Sequence, residues 1–207
     1  VARTFRGGPV AGGSTITQQT ARNLFLDPER TLRRKAREAA LATRLESGLS
    51  KRRILELYLN VIEWGDGVWG AEAASRHHFG KAAAGLDAFE ASFLASLVAA
   101  PLSPLSGPNA ERARALQLRV LDQLYLSGLL DDAGWRAAAI RTELLHEELA
   151  GGVPLPAALA PRPVPDYDYS PPLRDDSSRL PASRALAEEC GLARELSSTR
   201  NPGSPAP

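Results

Sequence analysis

Gly12-Gly13-Ser14-Thr15-Ile16-Thr17-Gln18-Gln19-Thr20-Ala21-Arg22-Asn23-Leu24-Phe25-Leu26 carries two signals at once. Thr15 followed three residues later by Gln18 is a capping box, in which each side chain satisfies a free backbone N–H of the other. A helix therefore starts at Ser14 or Thr15 and runs to about Leu26, where Asp27-Pro28 breaks it. The same stretch lines up hydroxyls, two adjacent amides and a cation. One hydroxyl suffices to cap a helix, so the surplus polar groups point to a grip on a polar, anionic ligand.

Outward from this segment the pattern stays helical. Thr31 caps a second helix through about Glu46, with Leu32, Ala36, Ala39, Ala40 and Thr43 recurring at spacings of three and four, and Gly48 as the stop. Ser50 caps a third, Lys51 to Ile62, whose buried side is Ile54, Leu57, Tyr58 and Val61. The run Glu63-Trp64-Gly65-Asp66-Gly67-Val68-Trp69-Gly70 reads as a glycine-rich loop. Its Trp residues either pack on the core or form one wall of a sugar-binding cleft. A short helix to about His77 follows, closed by Phe79-Gly80-Lys81. Asp87 with Glu90 boxes a buried helix to about Ala100. Asn109 caps a helix to about Ser127, and a last helix spans about Asp131 to Leu149. No run alternates apolar and polar residues as a half-buried strand does. The expected class is all-α.

The chain has 207 residues and a formal net charge of +1, enough for one ordinary domain with a tail. It contains no Met, so it is read as a fragment or processed product. Its one Cys, Cys190, precludes an internal disulfide. Ala91 to Leu102 is the most apolar window and is too short to span a membrane. Of 16 Pro, 11 fall after position 150. Residues 1–150 are therefore expected to form the domain, and 151–207 a Pro-rich, mostly disordered tail with a short helix around Ser183 to Glu195.

Charge is concentrated. Arg22 to Arg53 holds ten Lys or Arg against four Asp or Glu, which marks a local anionic partner in a chain that is otherwise near neutral. Arg34 and Arg37 share a helix face. Arg30 and Arg22 lie just before them, so three or four cations can gather on one phosphate-like ligand. The alternative is a solvated basic face. Glu38, one turn after Arg34, is either a surface ion-pair partner or a carboxylate placed to position a base or a metal. Adjacent His77 and His78 diverge on a helix and do not form a metal pair. Ser14 lacks ordered His and Asp partners for a triad.

These residues carry a resemblance. Gly13-Ser14-Thr15-Ile16-Thr17-Gln18-Gln19 with Arg22-Asn23 resembles the second signature of the peptidoglycan glycosyltransferases. Arg34-Lys35-Ala36-Arg37-Glu38 resembles the third. Lys51, Ile54-Leu55 and Tyr58-Leu59-Asn60 resemble the fourth, and Ala73-Ala74 with Phe79-Gly80-Lys81 the fifth. The resemblance covers about Gly12 to Leu145 and is greatest to the monofunctional members. It implies a helical, lysozyme-like domain on the periplasmic side of the bacterial inner membrane. There the domain polymerises lipid II into glycan strands and releases undecaprenyl pyrophosphate. By position, Arg22 and Arg30 match the pyrophosphate contacts, supported by Arg34, Lys35 and Arg37. Glu38 matches a catalytic glutamate; Ser14, Thr15, Gln18, Gln19 and Asn23 match groups of the substrate cleft. Implied partners are lipid II, the growing glycan, the inner membrane and other cell-wall synthesis or division proteins. No cofactor is required, although a divalent metal is compatible, and no nucleic acid is expected.

Two positions depart from the pattern: Arg22 stands where Lys is usual, and His78 where Tyr is usual. The first signature, which carries the general base, has no counterpart in Val1 to Ala11, a stretch without any carboxylate. The chain is therefore expected to be an N-terminally truncated member that binds lipid II weakly and polymerises it poorly or not at all. Two other readings compete. A muramidase or lytic transglycosylase needs a raised-pKa acid rather than a cation cluster. A basic helical nucleic-acid binder would leave the amide and hydroxyl groups without a purpose.

Overall fold

In a computed structural model, residues 14–27 and 31–163 are described. Gly12, Gly13, Arg30, the tail from Val164, the Ser183 to Glu195 helix and Cys190 lie outside them. The described chain is mainly helical, in the expected all-α class, and divides into two compact units, 1–62 and 63–207.

In the first unit, α1 (Ile16–Phe25) begins on the expected capping box of Thr15 and Gln18. Helix α2 (Leu32–Gly48) is capped by Thr31, and α3 (Lys51–Val61) by Ser50. Each cap oxygen satisfies one of the N–H groups that a first turn leaves without a helical acceptor. Helix α1 packs against both α2 and α3. It does so through Thr17, Thr20 and Ala21, which are almost wholly buried. These small residues let the helices approach closely.

The buried line of α2 differs from the expected stripe. Leu32, Ala36, Ala39, Ala40 and Thr43 are all exposed, Leu32 to 92%. Glu38 and Ala42 are buried instead, flanked by half-buried Arg34, Leu41 and Leu45. The alanines of the expected stripe offer little apolar area, so periodicity in small residues could not fix the rotation of the helix. The larger apolar residues Leu41 and Leu45, with Ala42, mark the inward side, and Glu38 shares it with both carboxylate oxygens paired. In α3 the expected side holds: Ile54 and Tyr58 are buried, with Leu57 and Val61 half-buried.

The second unit opens with a β-hairpin where a glycine-rich loop is expected. Glu63–Gly65 (β1) and Val68–Trp69 (β2) form an antiparallel hairpin in which Glu63 pairs with Trp69. Asp66-Gly67 makes the two-residue turn, and Gly67 supplies φ 70°. Asp-Gly between apolar residues is a strong hairpin signal; strands this short show no alternation to detect.

Helix α4 (Ala71–Phe79) ends at Gly80 in the left-handed conformation. Then come α5 (Ala88–Leu97), α6 (Gly107–Leu126) and α7 (Asp132–Ala150), packed on one another. Their core is Phe89, Phe93, Leu97, Leu121, Tyr125, Trp135 and Leu145. Helix α6 starts before the expected Asn109 cap, at Ser106. Pro108 fits the first turn, where its missing N–H costs no helical bond, and Asn109 lies inside it. Past the expected boundary at 150, Leu155–Ala158 forms a single turn, α8, against α7. Arg162 there pairs with Glu148. No described helix is long and apolar enough to cross a membrane.

Asp87 ties α5 to α7. It caps α5 through the Glu90 N–H at 2.9 Å and accepts from Arg141 at 2.5 Å, while Arg141 lies 4.1 Å over the Phe89 ring. The ion pair is partly exposed and adds little, so the cap dominates. Asp87→Ala is expected to lower unfolding stability by about 1 kcal/mol and Asp87→Asn by less, read from urea unfolding midpoints at constant slope.

Candidate active site

Glu38 lies on the α2 face turned toward α1 and is 1% exposed. A carboxylate removed from water costs several kcal/mol unless its oxygens are engaged. Here Arg34 Nη1 donates to Oε2 at 3.0 Å, and Lys35 Nζ donates to Oε1. Helical spacing makes this possible, because residues three and four apart meet on one face. Lys35 Nζ also donates to Ser14 Oγ at 2.7 Å. Ser14, Lys35, Glu38 and Arg34 therefore form one connected group that ties the start of α1 to α2.

A second connection runs through Glu46, two turns further along α2. Its Oε1 accepts from Thr17 Oγ1 at 2.7 Å and from Lys51 Nζ at 2.7 Å. These donors, Lys51 first, hold the Glu46 carboxyl below the usual carboxylate range. The third joins α1 to α3: Tyr58 OH donates to Gln19 Oε1 at 3.4 Å, and Gln19 Nε2 donates to the Ser14 carbonyl at 3.4 Å. Burial pushes the Tyr58 hydroxyl up, opposed by the charge of Arg22. The phenol thus stays a donor and fixes which end of the Gln19 amide faces it.

The remaining sequence candidates fall into three sets. Thr15 and Gln18 are committed to the capping box. Arg22 donates from Nε to Asn23 Oδ1 at 3.3 Å, an exposed local pair. Arg34 and Arg37 line a cavity of about 130 Å³ with Phe25, Leu26, Asp27, Thr31 and Arg33. Arg22 is not among its lining residues, and Arg30 lies outside the described residues. Asp27 subtracts from the positive field of the three guanidinium groups without cancelling it. Arg34 Nε is buried with no partner among the described residues, although its Nη1 holds Glu38. A buried donor without an acceptor costs about 1–3 kcal/mol, so an anion oxygen near it would recover that loss.

Sequence reasoning missed Arg33 as a cavity residue because it sits amid a run of cations that helical spacing alone cannot rank. It missed the roles of Thr17 and Tyr58 because both bonds depend on how α1 packs. His78 contacts Phe93 edge-on, with ring centroids 5.6 Å apart, and burial pushes its pKa down to about 4. A neutral ring therefore fills that place. Among the described residues, no three His, Cys, Asp or Glu gather as a metal site.

Replacing Glu38 leaves two cations facing each other without their shared anion. Both are partly exposed to solvent, which softens the penalty. Glu38→Ala is expected to cost about 2 kcal/mol, and Glu38→Gln less. Guanidinium denaturation of both variants against the parent checks this.

The sequence model of the family described as Transglycosylase matches residues 1–125. The biosynthetic peptidoglycan transglycosylase of Alcanivorax borkumensis is 58% identical over 104 residues, covering 50% of this chain and 42% of that protein. That of Nitrosomonas europaea is 58% identical over 91 residues, covering 44% and 37%. That of an Azoarcus species is 49% identical over 115 residues, covering 53% and 50%. The aligned part of the chain thus spans half or less of the length of these relatives.

Proposed function

The chain belongs to the transglycosylase family, and we propose that it is a peptidoglycan glycosyltransferase that polymerises lipid II with release of undecaprenyl pyrophosphate. The supporting observation is the cavity lined by Arg33, Arg34 and Arg37, in which Arg34 carries a buried Nε without a described partner. In the proposed reaction, the 4-hydroxyl oxygen of one disaccharide unit forms a bond to the anomeric carbon of the growing chain. The bond from that carbon to the pyrophosphate oxygen breaks, the leaving group takes the electron pair, and the hydroxyl proton passes to a base. Negative charge builds on the pyrophosphate as the bond breaks. Fixed cations stabilise that state more than the starting one, and this difference is what accelerates a reaction.

Each residue has a distinct part in this reading. Arg34 and Arg37, with Arg33, receive the pyrophosphate, and guanidinium forks suit its paired oxygens. Arg30, like Arg22, is proposed as a further phosphate contact. Lys35 and Glu38 hold the start of α1 on α2, so that Ser14 and the Gln19 amide keep fixed positions beside the cations. Glu38 positions and does not abstract the proton, because both its oxygens are already occupied. Glu46 is likewise occupied by Thr17 and Lys51. Donor binding, which rests on the α2 cations, is separable from turnover, which also needs a base for the hydroxyl proton. The partners are lipid II, the glycan strand and other cell-wall synthesis proteins, at the periplasmic side of the bacterial inner membrane.

Donor binding is the step to measure. Titration of the full chain with inorganic pyrophosphate by calorimetry is expected to show saturable binding that weakens with added salt, as phosphate contacts do. Arg37→Ala should weaken it about tenfold, the worth of one charge-assisted contact. Arg37 is exposed and holds no described ion pair, so this variant should fold normally. Absence of binding, or equal affinity in Arg37→Ala, would refute the proposed donor site.

A further inference from the structure

The hairpin Glu63–Trp69 presents its two Trp residues in opposite ways. Trp64 is 4% exposed and Trp69 is 56% exposed. The pairing register shifts between Glu63 and Gly65, so Trp64 sits at an irregularity of the ribbon where regular side-chain alternation is broken. Strand β1 packs on α4 and α5, and β2 on α4, and Trp64 is the buried ring of the ribbon. No described ring or cation covers Trp69. Its open indole offers a large flat apolar face with a polar N–H at its edge to any ligand that reaches the ribbon.

Its neighbour is informative. Glu63 is the direct cross-strand partner of Trp69, so the two side chains leave the ribbon about 5 Å apart at Cβ. One oxygen of Glu63, Oε1, accepts the Gly67 N–H at 3.4 Å. This hydrogen bond steadies the carboxylate over the turn. Its Oε2 has no partner among the described residues, and exposed Asp66 adds a second carboxylate at the tip. An aromatic face beside an acceptor-only carboxylate suits a ligand with an apolar C–H face and hydroxyl donors at its edge. Anions are disfavoured there by the two acids.

We propose that Trp69 and Glu63 form a saccharide subsite, in which an uncharged pyranose ring of a β-linked N-acetylhexosamine chain stacks on Trp69 and donates a hydroxyl hydrogen bond to Glu63 Oε2. The subsite deepens the glycan-polymerising reading and rests on it for the identity of the polymer. It lies in the second unit and uses none of the cations that receive the pyrophosphate.

The test is a titration of the full chain with chitotetraose, followed by intrinsic Trp fluorescence and calorimetry. Trp64 and Trp135 are buried, so a shift in emission reports mainly Trp69. Saturable binding is expected for the parent and, within about threefold, for Trp69→Phe. Trp69→Ala should lose about tenfold in affinity and Glu63→Ala several-fold. Circular dichroism and melting of Trp69→Ala should match the parent, because an exposed ring supports little of the fold. No saturable binding to the parent, or unchanged affinity in Trp69→Ala or in Glu63→Ala, overturns the subsite. Pyrophosphate titration of the same preparations separates the two readings. Pyrophosphate binding without Trp69-dependent saccharide binding sinks the subsite alone. Saccharide binding without pyrophosphate binding leaves the subsite standing and removes the donor site.

Discussion

Burial of the Glu38 carboxylate is the constraint on which the first unit depends. A charge so far from water is tolerated only where cations meet both oxygens. Arg34 and Lys35 meet them, one turn and slightly less before it on the same helix. The Glu38 side of α2, which also carries Ala42, Leu41 and Leu45, faces inward with that requirement met, and the alanine side lies in solvent. The requirement also spends one nitrogen of Arg34 inward while the rest of the guanidinium borders the cavity, and it brings Lys35 to Ser14. A buried pair of this kind adds little net stability compared with an apolar contact of the same shape. What it supplies is position: the same bonds that neutralise Glu38 set the spacing between the polar start of α1 and the cations of α2.

The second unit is held in a more ordinary way. Three helices bury aromatic and aliphatic side chains against one another, and polar ties cross between them at few points. Trp135 donates to Asp122, Arg114 to Glu143, and Gln117 to the Phe89 carbonyl, where Gln117 is wholly buried. His146 stands beside Gln117, and burial pushes its pKa down to about 4. It is therefore neutral and packs as a polar core residue. Among the described residues of this unit, nothing repeats the concentrated positive charge of the first.

Local chemistry made most helix starts legible. Thr15, Thr31, Ser50, Asp87 and Asp131 each cap a helix as their residue type and following pattern suggest. Capping is decided within four residues, so no tertiary information is needed. The face of α2 was not legible, because alanines at helical spacing look like a core stripe whether or not anything packs on them. The Asp66-Gly67 hairpin escaped because its strands are too short to show a period. In the site, the group of Arg34, Lys35 and Glu38 could be foreseen from spacing along one helix. The contacts of Thr17 with Glu46 and of Tyr58 with Gln19 join residues 29 and 39 positions apart. Such pairs depend on how α1 lies between α2 and α3, which no local pattern encodes.

The central claim is that Glu38 orders Arg34 and its neighbours into a receptor for pyrophosphate, and a crystal structure of the full chain soaked with inorganic pyrophosphate tests it most directly. The account predicts a pyrophosphate in the cavity bordered by Thr31, Arg33 and Arg37. One of its oxygens should lie within hydrogen-bond distance of Arg34, and the Glu38 contacts should be unbroken. Pyrophosphate bound elsewhere, such as over Arg52 and Arg53, or an empty cavity at saturating concentration, would contradict it.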